Sequence, residues 1–119
     1  MKTTICCLEP VLAPYSVPRF KAFQSLRPDY SVKVMALSAR EQLREWGLSK
    51  QNLGFDYVEA FSEESLENLN SRAQAERVIQ WLMSEDPAVV VITGYFLAGM
   101  RAAARWARQH QRLSIYIGD

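Results

Sequence analysis

Cysteine and histidine are scarce in this sequence, and their scarcity excludes several kinds of site. Cys6 and Cys7 are the two cysteines, and His110 is the single histidine. In a strand, adjacent cysteines point to opposite faces and cannot close a loop, a pattern typical of a reducing compartment. His110 lies in R-Q-H-Q-R near the end of a predicted helix, where solvation is favoured over catalysis. With no second histidine near the cysteines, we expect no metal site.

The sequence also lacks a charge excess and a long apolar run. Lys and Arg number 14 and Asp and Glu 13, for a formal charge of +1, so no overall field indicates a nucleic-acid partner. No apolar run approaches the ~18 residues of a membrane span, and the N-terminus lacks the apolar stretch of a signal peptide. We therefore expect a cytoplasmic protein. A stripe of arginines at 101, 105, 108 and 112 leaves peripheral membrane contact open, although a solvated helix face is the favoured interpretation.

The 119 residues contain enough apolar material for one domain, residues 1–119, with a sizeable core, because 49% of them are hydrophobic. The most apolar stretch is residues 88–95, A-V-V-V-I-T-G-Y. Its five consecutive apolar residues, four of them β-branched, predict a central parallel strand. Pro87 precedes this strand, and Thr93-Gly94-Tyr95 turns its carboxyl end toward a helix. In an open parallel sheet, that end of a strand is where ligands bind.

Strands and helices are predicted to alternate along the whole chain. Strands are expected at residues 3–8, 31–37, 55–61, 88–92 and 113–117, with the third at a sheet edge. Helices are expected at residues 17–27, within 38–47, at 71–84 and at 96–109, and the first three begin at Ser16, Ser38 and Ser71 as N-caps. Residues 62–70 are expected to form an acidic loop.

This alternation predicts an α/β fold, a Rossmann-like doubly wound parallel sheet of five strands. Right-handed crossovers give the order 3-2-1-4-5, with the first two helices on one face and the last two on the other. A final helix that would follow the fifth strand is lacking, so we interpret the sequence as a fragment. The switch point lies between strands 1 and 4, where the loops at 9–16 and 93–96 meet.

Seven residues near this switch point are candidate substrate-binding residues. Glu9 could be a polar acceptor-site group or a base, or it could cap a neighbouring amide. Tyr15 and Arg19 could stack on and hydrogen-bond to a sugar or an anionic acceptor, although packing and solvation are favoured. Gly94 permits close backbone approach, and the helix that follows it could direct amides toward the cleft, unless Gly94 simply makes the turn. The full set is Glu9, Tyr15, Arg19, Thr93, Gly94, Tyr95 and Asp119.

Three motifs resemble the N-terminal Rossmann-like domain of GT-B glycosyltransferases, in particular the retaining, family 4-like enzymes that use nucleotide-sugars. They are L-E-P-V-L-A-P-Y-S-V-P-R-F at residues 8–20, Glu45-Trp46 near the end of the second predicted helix, and V-V-V-I-T-G-Y at 89–95. The similarity runs through essentially all 119 residues, but each motif is short and none is catalytic. Many members carry a glycine-rich loop after the first strand. Here Val11-Leu-Ala-Pro14 stands instead, which weakens a direct phosphate role for this loop.

The resemblance implies that the chain binds a sugar or a lipid-linked acceptor. The nucleotide-sugar donor and the paired glutamates that contact it belong to a C-terminal domain that this sequence lacks. We therefore expect no cofactor in this chain, no transferase activity by the chain alone, and self-association through an exposed sheet face. Two alternatives stay open: a stand-alone flavodoxin-like binding or interaction module, and one half of a two-domain epimerase of the same architecture.

Overall fold

A computed structural model of the chain describes residues 2–12, 15–38, 53–61, 68–94 and 96–117. The strands are β1 (Thr3–Glu9), β2 (Tyr30–Ser38), β3 (Asp56–Phe61), β4 (Val89–Thr93) and β5 (Leu113–Ile117). The helices are α1 (Val17–Leu26), α2 (Ser71–Glu85) and α3 (Ala98–Gln109). The predicted helix within 38–47, with Glu45 and Trp46, and most of the acidic loop lie outside the described residues.

The five strands form one parallel sheet in the order β3-β2-β1-β4-β5, which confirms the predicted fold and strand order. β1 lies at the centre, where Cys7 pairs with Val34 of β2 on one side and with Val91 of β4 on the other. The chain leaves β1 toward β2 and later returns to its opposite side as β4. The carboxyl ends of β1 and β4 therefore bound a crevice at the switch point.

Each face of the sheet has its own apolar cluster. Cys6 packs with the face that α2 and α3 cover, while Cys7 packs with the face that α1 covers. Both cysteines are buried and free, as their adjacent positions in a strand predict. The placement of α1 on one face and of α2 and α3 on the other agrees with right-handed crossovers.

The described helices cover the α1 face only in part. Val90 and Ile92 of β4 are buried under α2 and α3, but Val89 and Val91 on the opposite face are only half-buried. Among the described residues, α1 is the one helix on this face, and it packs mainly against β2. The uniformly apolar run at 88–92 predicted a strand covered on both sides, whereas the helices of the described residues cover only one of its sides fully.

β5 is the most exposed strand of the sheet. Its large apolar side chains are 45–61% exposed, and no helix follows it within the residues that the structure describes. The opposite edge strand, β3, presents the carboxylates of Asp56 and Glu59. The two edges of the sheet therefore differ in polarity, since charged residues protect β3 while β5 exposes apolar ones.

Candidate functional site

A groove of about 740 Å³ opens on the α1 face, between α1 and the strands β1, β4 and β5. Volumes of several hundred Å³ are typical of small-molecule sites. The groove reaches the switch point at the carboxyl ends of β1 and β4, where its lining becomes polar. Its floor is apolar and is formed by Ile5, Cys7, Phe20, Phe23, Val89, Val91, Ile115 and Ile117.

Glu9, the last residue of β1, lies at the polar end of the groove and is only 6% exposed. Thr93 and Ser16, which carry hydroxyl groups, line the groove beside it. Burial raises the pKa of Glu9, while the hydroxyls of Thr93 and Ser16 and the charge of Arg19 oppose the rise. Because Leu8 pairs with Ile92, the next residues along β1 and β4 are Glu9 and Thr93, so the sheet register itself brings them together.

Ser16 lies in the groove lining with Glu9, and its side chain does not cap α1. The sequence predicted Ser16 as the N-cap of α1, and it does occupy that position, but its side chain makes no capping hydrogen bond. Its hydroxyl instead helps to lower the pKa of Glu9. Pro18 lies in the first turn of α1 and has no backbone N–H. One fewer donor in that turn needs a partner, so the helix loses little without the cap.

Tyr15 and Arg19 lie at the rim of the groove. Tyr15 is 70% exposed, and Arg19 Cζ lies 5.8 Å from the centroid of its ring. Phe96, 64% exposed, lines the same groove from the β4 side. Exposed aromatic rings beside buried polar groups are suited to contact the apolar faces of a ring-shaped ligand.

Gly94 follows β4 with φ +86°, a backbone conformation that favours glycine. Its amide donates to the carbonyl oxygen of Ile117 at 3.0 Å, which extends the pairing of β4 with β5. Gly94 lines the groove, but its N–H is used within the sheet. Five of the seven predicted residues thus lie around one groove, while Tyr95 and Asp119 lie outside the described residues.

The helix after β4 differs from the sequence-based expectation. It begins at Ala98 rather than at Phe96, and the amide of Gly99 donates to Oε1 of Gln74 at 3.0 Å. Gln74 belongs to α2 on the opposite face and is only 3% exposed. This first-turn amide is therefore satisfied by a neighbouring helix and is not presented to the groove. Sequence reasoning missed Gln74, because a glutamine inside a helix carries no signal of such a contact.

A smaller cavity, of about 270 Å³, lies at the other end of the sheet and is lined by Lys33, Asp56 and Glu85 among others. Lys33 Nζ lies 2.8 Å from Asp56 Oδ2 and 3.3 Å from Glu85 Oε2. Lys33 thus forms an ion pair with each carboxylate, which indicates a structural contact between β2, β3 and α2. In the described part of the chain, no three His, Cys, Asp or Glu side chains are grouped to hold a metal ion. None of the described helices is long and apolar enough to cross a membrane.

The sheet order and the crevice define a Rossmann-like α/β domain, and solved structures share this fold. A UDP-N-acetylglucosamine 2-epimerase candidate from Listeria monocytogenes aligns with a TM-score of 0.65 at 14% identity, over 98% of this chain and 31% of its own. The UDP-GlcNAc 2-epimerase from Neisseria meningitidis, solved bound to UDP-GlcNAc, aligns with a TM-score of 0.61 at 10% identity, over 97% of this chain and 31% of its own. These epimerases share the GT-B fold with glycosyltransferases.

A third solved structure comes from a different kind of protein. The C-terminal domain of a hydrogenase from Pyrococcus furiosus aligns with a TM-score of 0.65 at 15% identity, over 98% of this chain and 92% of that domain. The chain spans about a third of the length of the epimerases but nearly all of this domain. No protein-family model matches the sequence, and no curated protein matches it. Identities this low show the shared fold alone.

Proposed function

We propose that this chain is one Rossmann-like half of a GT-B-type enzyme that uses nucleotide-sugars, and that its groove binds the sugar or lipid-linked acceptor. The observation that carries the proposal is the groove at the β1/β4 switch point, with the buried Glu9 at its head. The likeness to UDP-GlcNAc 2-epimerases supports a sugar-related function at the level of fold.

The chemistry of the groove suits a sugar. Glu9 offers carboxylate oxygens to hydroxyl donors, and Ser16 and Thr93 supply further hydroxyl groups beside it. Tyr15 at the rim provides an aromatic surface for the apolar face of a pyranose ring. The apolar floor beyond these residues would accommodate the hydrocarbon part of a lipid-linked acceptor.

The proposal further assigns the chain to the acceptor side of a glycosyltransferase related to the retaining, family 4-like enzymes, with the donor bound by a second domain. A single Rossmann half supplies one wall of the interdomain cleft. We therefore expect no turnover by the isolated chain. Incubation with UDP-glucose and UDP-N-acetylglucosamine, followed by chromatography for released UDP, tests this; release above the protein-free rate would contradict the proposal.

An epimerase half is the second candidate, because the epimerases above align over nearly the whole of this chain. It differs from the first in what the groove holds: the sugar of a UDP-sugar rather than a separate acceptor. Titration with UDP-N-acetylglucosamine and with a neutral glycoside, followed by chemical shifts in NMR spectra, separates the two. Binding of the UDP-sugar alone favours the epimerase, and binding of the neutral glycoside favours the acceptor domain.

A stand-alone binding module is the third candidate, supported by the match to a hydrogenase domain of similar extent. It predicts a monomer, whereas the half-enzyme predicts self-association through the exposed apolar side chains of β5 and the groove floor. Sedimentation velocity over a range of concentrations tests this difference. The variant Ile115→Lys is expected to abolish concentration-dependent association if the half-enzyme interpretation is correct.

A further inference from the structure

We propose that the polar end of the groove selects neutral, hydroxyl-bearing groups over phosphate, and that Glu9 sets this selectivity. The inference rests on the proposed function in that it takes the groove as the ligand site. It adds the charge of the group that the site accepts, which neither the fold nor its structural relatives specify.

The first step concerns the acceptor atoms at the head of the groove. A carboxylate has about four lone-pair positions, more than the neighbouring hydroxyls of Ser16 and Thr93 can fill on Glu9. The remaining positions can accept hydrogen bonds from ligand hydroxyl or amide groups. Phosphate oxygens at neutral pH offer little to donate, and in a site shielded from water they would be repelled by the carboxylate.

The second step concerns the backbone donors that a phosphate site needs. Anion sites in Rossmann folds use converging free N–H groups at a loop and a helix N-terminus. Here the amide of Gly94 donates to Ile117, and the amide of Gly99 donates to Gln74. Pro10, directly after Glu9, has no N–H at all. These three positions after β1 and β4 therefore offer no free backbone donor to a phosphate.

The third step concerns the balance of charge. Among the described residues that line the groove, Arg19 is the one cation and Glu9 the one anion. Their charges interact, since Arg19 lowers the pKa of Glu9 against the effect of burial. Removing the carboxylate would leave Arg19 unbalanced beside two hydroxyl donors. The same groove would then attract an anion, so exchange of one residue is expected to invert its preference.

The test uses two probes that differ in a phosphate: methyl N-acetyl-β-glucosaminide and N-acetylglucosamine 1-phosphate. Binding is followed by ¹H–¹⁵N NMR titration of the chain. The wild type is expected to bind the neutral glycoside at least about tenfold more tightly, a difference of about 1.4 kcal/mol. Glu9→Gln is expected to reduce this ratio to below about threefold or to reverse it.

Arg19→Gln is the matched control at an exposed position of the same groove, and it remains informative even if Glu9→Gln folds poorly. It is expected to weaken phosphate binding further, and so to raise the ratio in favour of the neutral glycoside. A wild type that prefers the phosphate within the groove would overturn the selectivity and leave the sugar site standing. If neither probe binds in the groove, both the selectivity and the sugar site are wrong. If the binding ratio is unchanged in Glu9→Gln, Glu9 does not set the selectivity.

Discussion

Replacement of Gly94 by alanine places an L-residue in left-handed backbone at the mouth of the groove. Gly94 has φ +86°, and such a conformation costs a non-glycine residue about 1–2 kcal/mol. The new Cβ would lie 3.1 Å from Cε1 and 3.3 Å from Cδ1 of Phe96, but that ring is exposed and can turn away. We therefore expect Gly94→Ala to lower the free energy of unfolding by about 1–2 kcal/mol, or Tm by about 4–8 °C.

Urea denaturation followed by tryptophan fluorescence measures this loss, and two further variants identify its cause. Gly94→Asn is expected to cost less than alanine, because asparagine tolerates left-handed backbone. In a Phe96→Ala background, the penalty of Gly94→Ala is expected to persist, since the backbone rather than the ring causes it. A Gly94→Ala variant as stable as the wild type, or a penalty that vanishes with Phe96, would refute this reasoning.

Three other substitutions test the contacts that frame the site. Gln74→Ala leaves the buried amide of Gly99 without an acceptor, so we expect a loss of about 1–3 kcal/mol in urea denaturation. Glu9→Gln removes a carboxyl whose pKa is raised on folding. Such a carboxyl lowers the folding stability as the pH rises through its folded pKa, so the variant should gain stability relative to the wild type as the pH rises above about 4.5. Lys33→Met removes the partner of Asp56 and should cost about 1 kcal/mol, less at high salt.

Each of these substitutions has its own control. Gln74→Glu retains an acceptor for the Gly99 amide, and equal losses in both variants would argue against the capping contact. A stability difference between Glu9→Gln and the wild type that stays constant with pH would show that Glu9 does not titrate differently on folding. Lys33→Arg keeps the charge, so a loss as large as that of Lys33→Met would assign the effect to packing.

The topology could be predicted from the sequence because its cause is local. The apolar run at 88–92 and the alternation of short strands with helices require a parallel sheet, and right-handed crossovers fix the strand order. The adjacent Cys6 and Cys7 indicated a strand between two apolar clusters, and each cysteine lies in a different cluster. These features depend on which side chains are apolar and on their period along the chain.

The details of the site could not be predicted, because they depend on contacts between distant segments. Ser16 is a good N-cap by residue type, yet its side chain makes no capping hydrogen bond and lies in the groove lining with Glu9. Helix α2 is capped by the side chain of Asn70, which accepts from Ala73, rather than by Ser71 as predicted. We expected an exposed sheet face, but the apolar sequence of β5 does not itself indicate that this strand would be the most exposed one.

The most direct test of the groove as the ligand site is chemical-shift mapping on the ¹⁵N-labelled chain with the neutral glycoside. The account predicts saturable changes at the amides of Glu9, Ser16, Thr93 and Gly94. It also predicts little change around Lys33 at the other end of the sheet. Shifts confined to the Lys33 end, or no saturable shifts at any amide, would contradict the central claim.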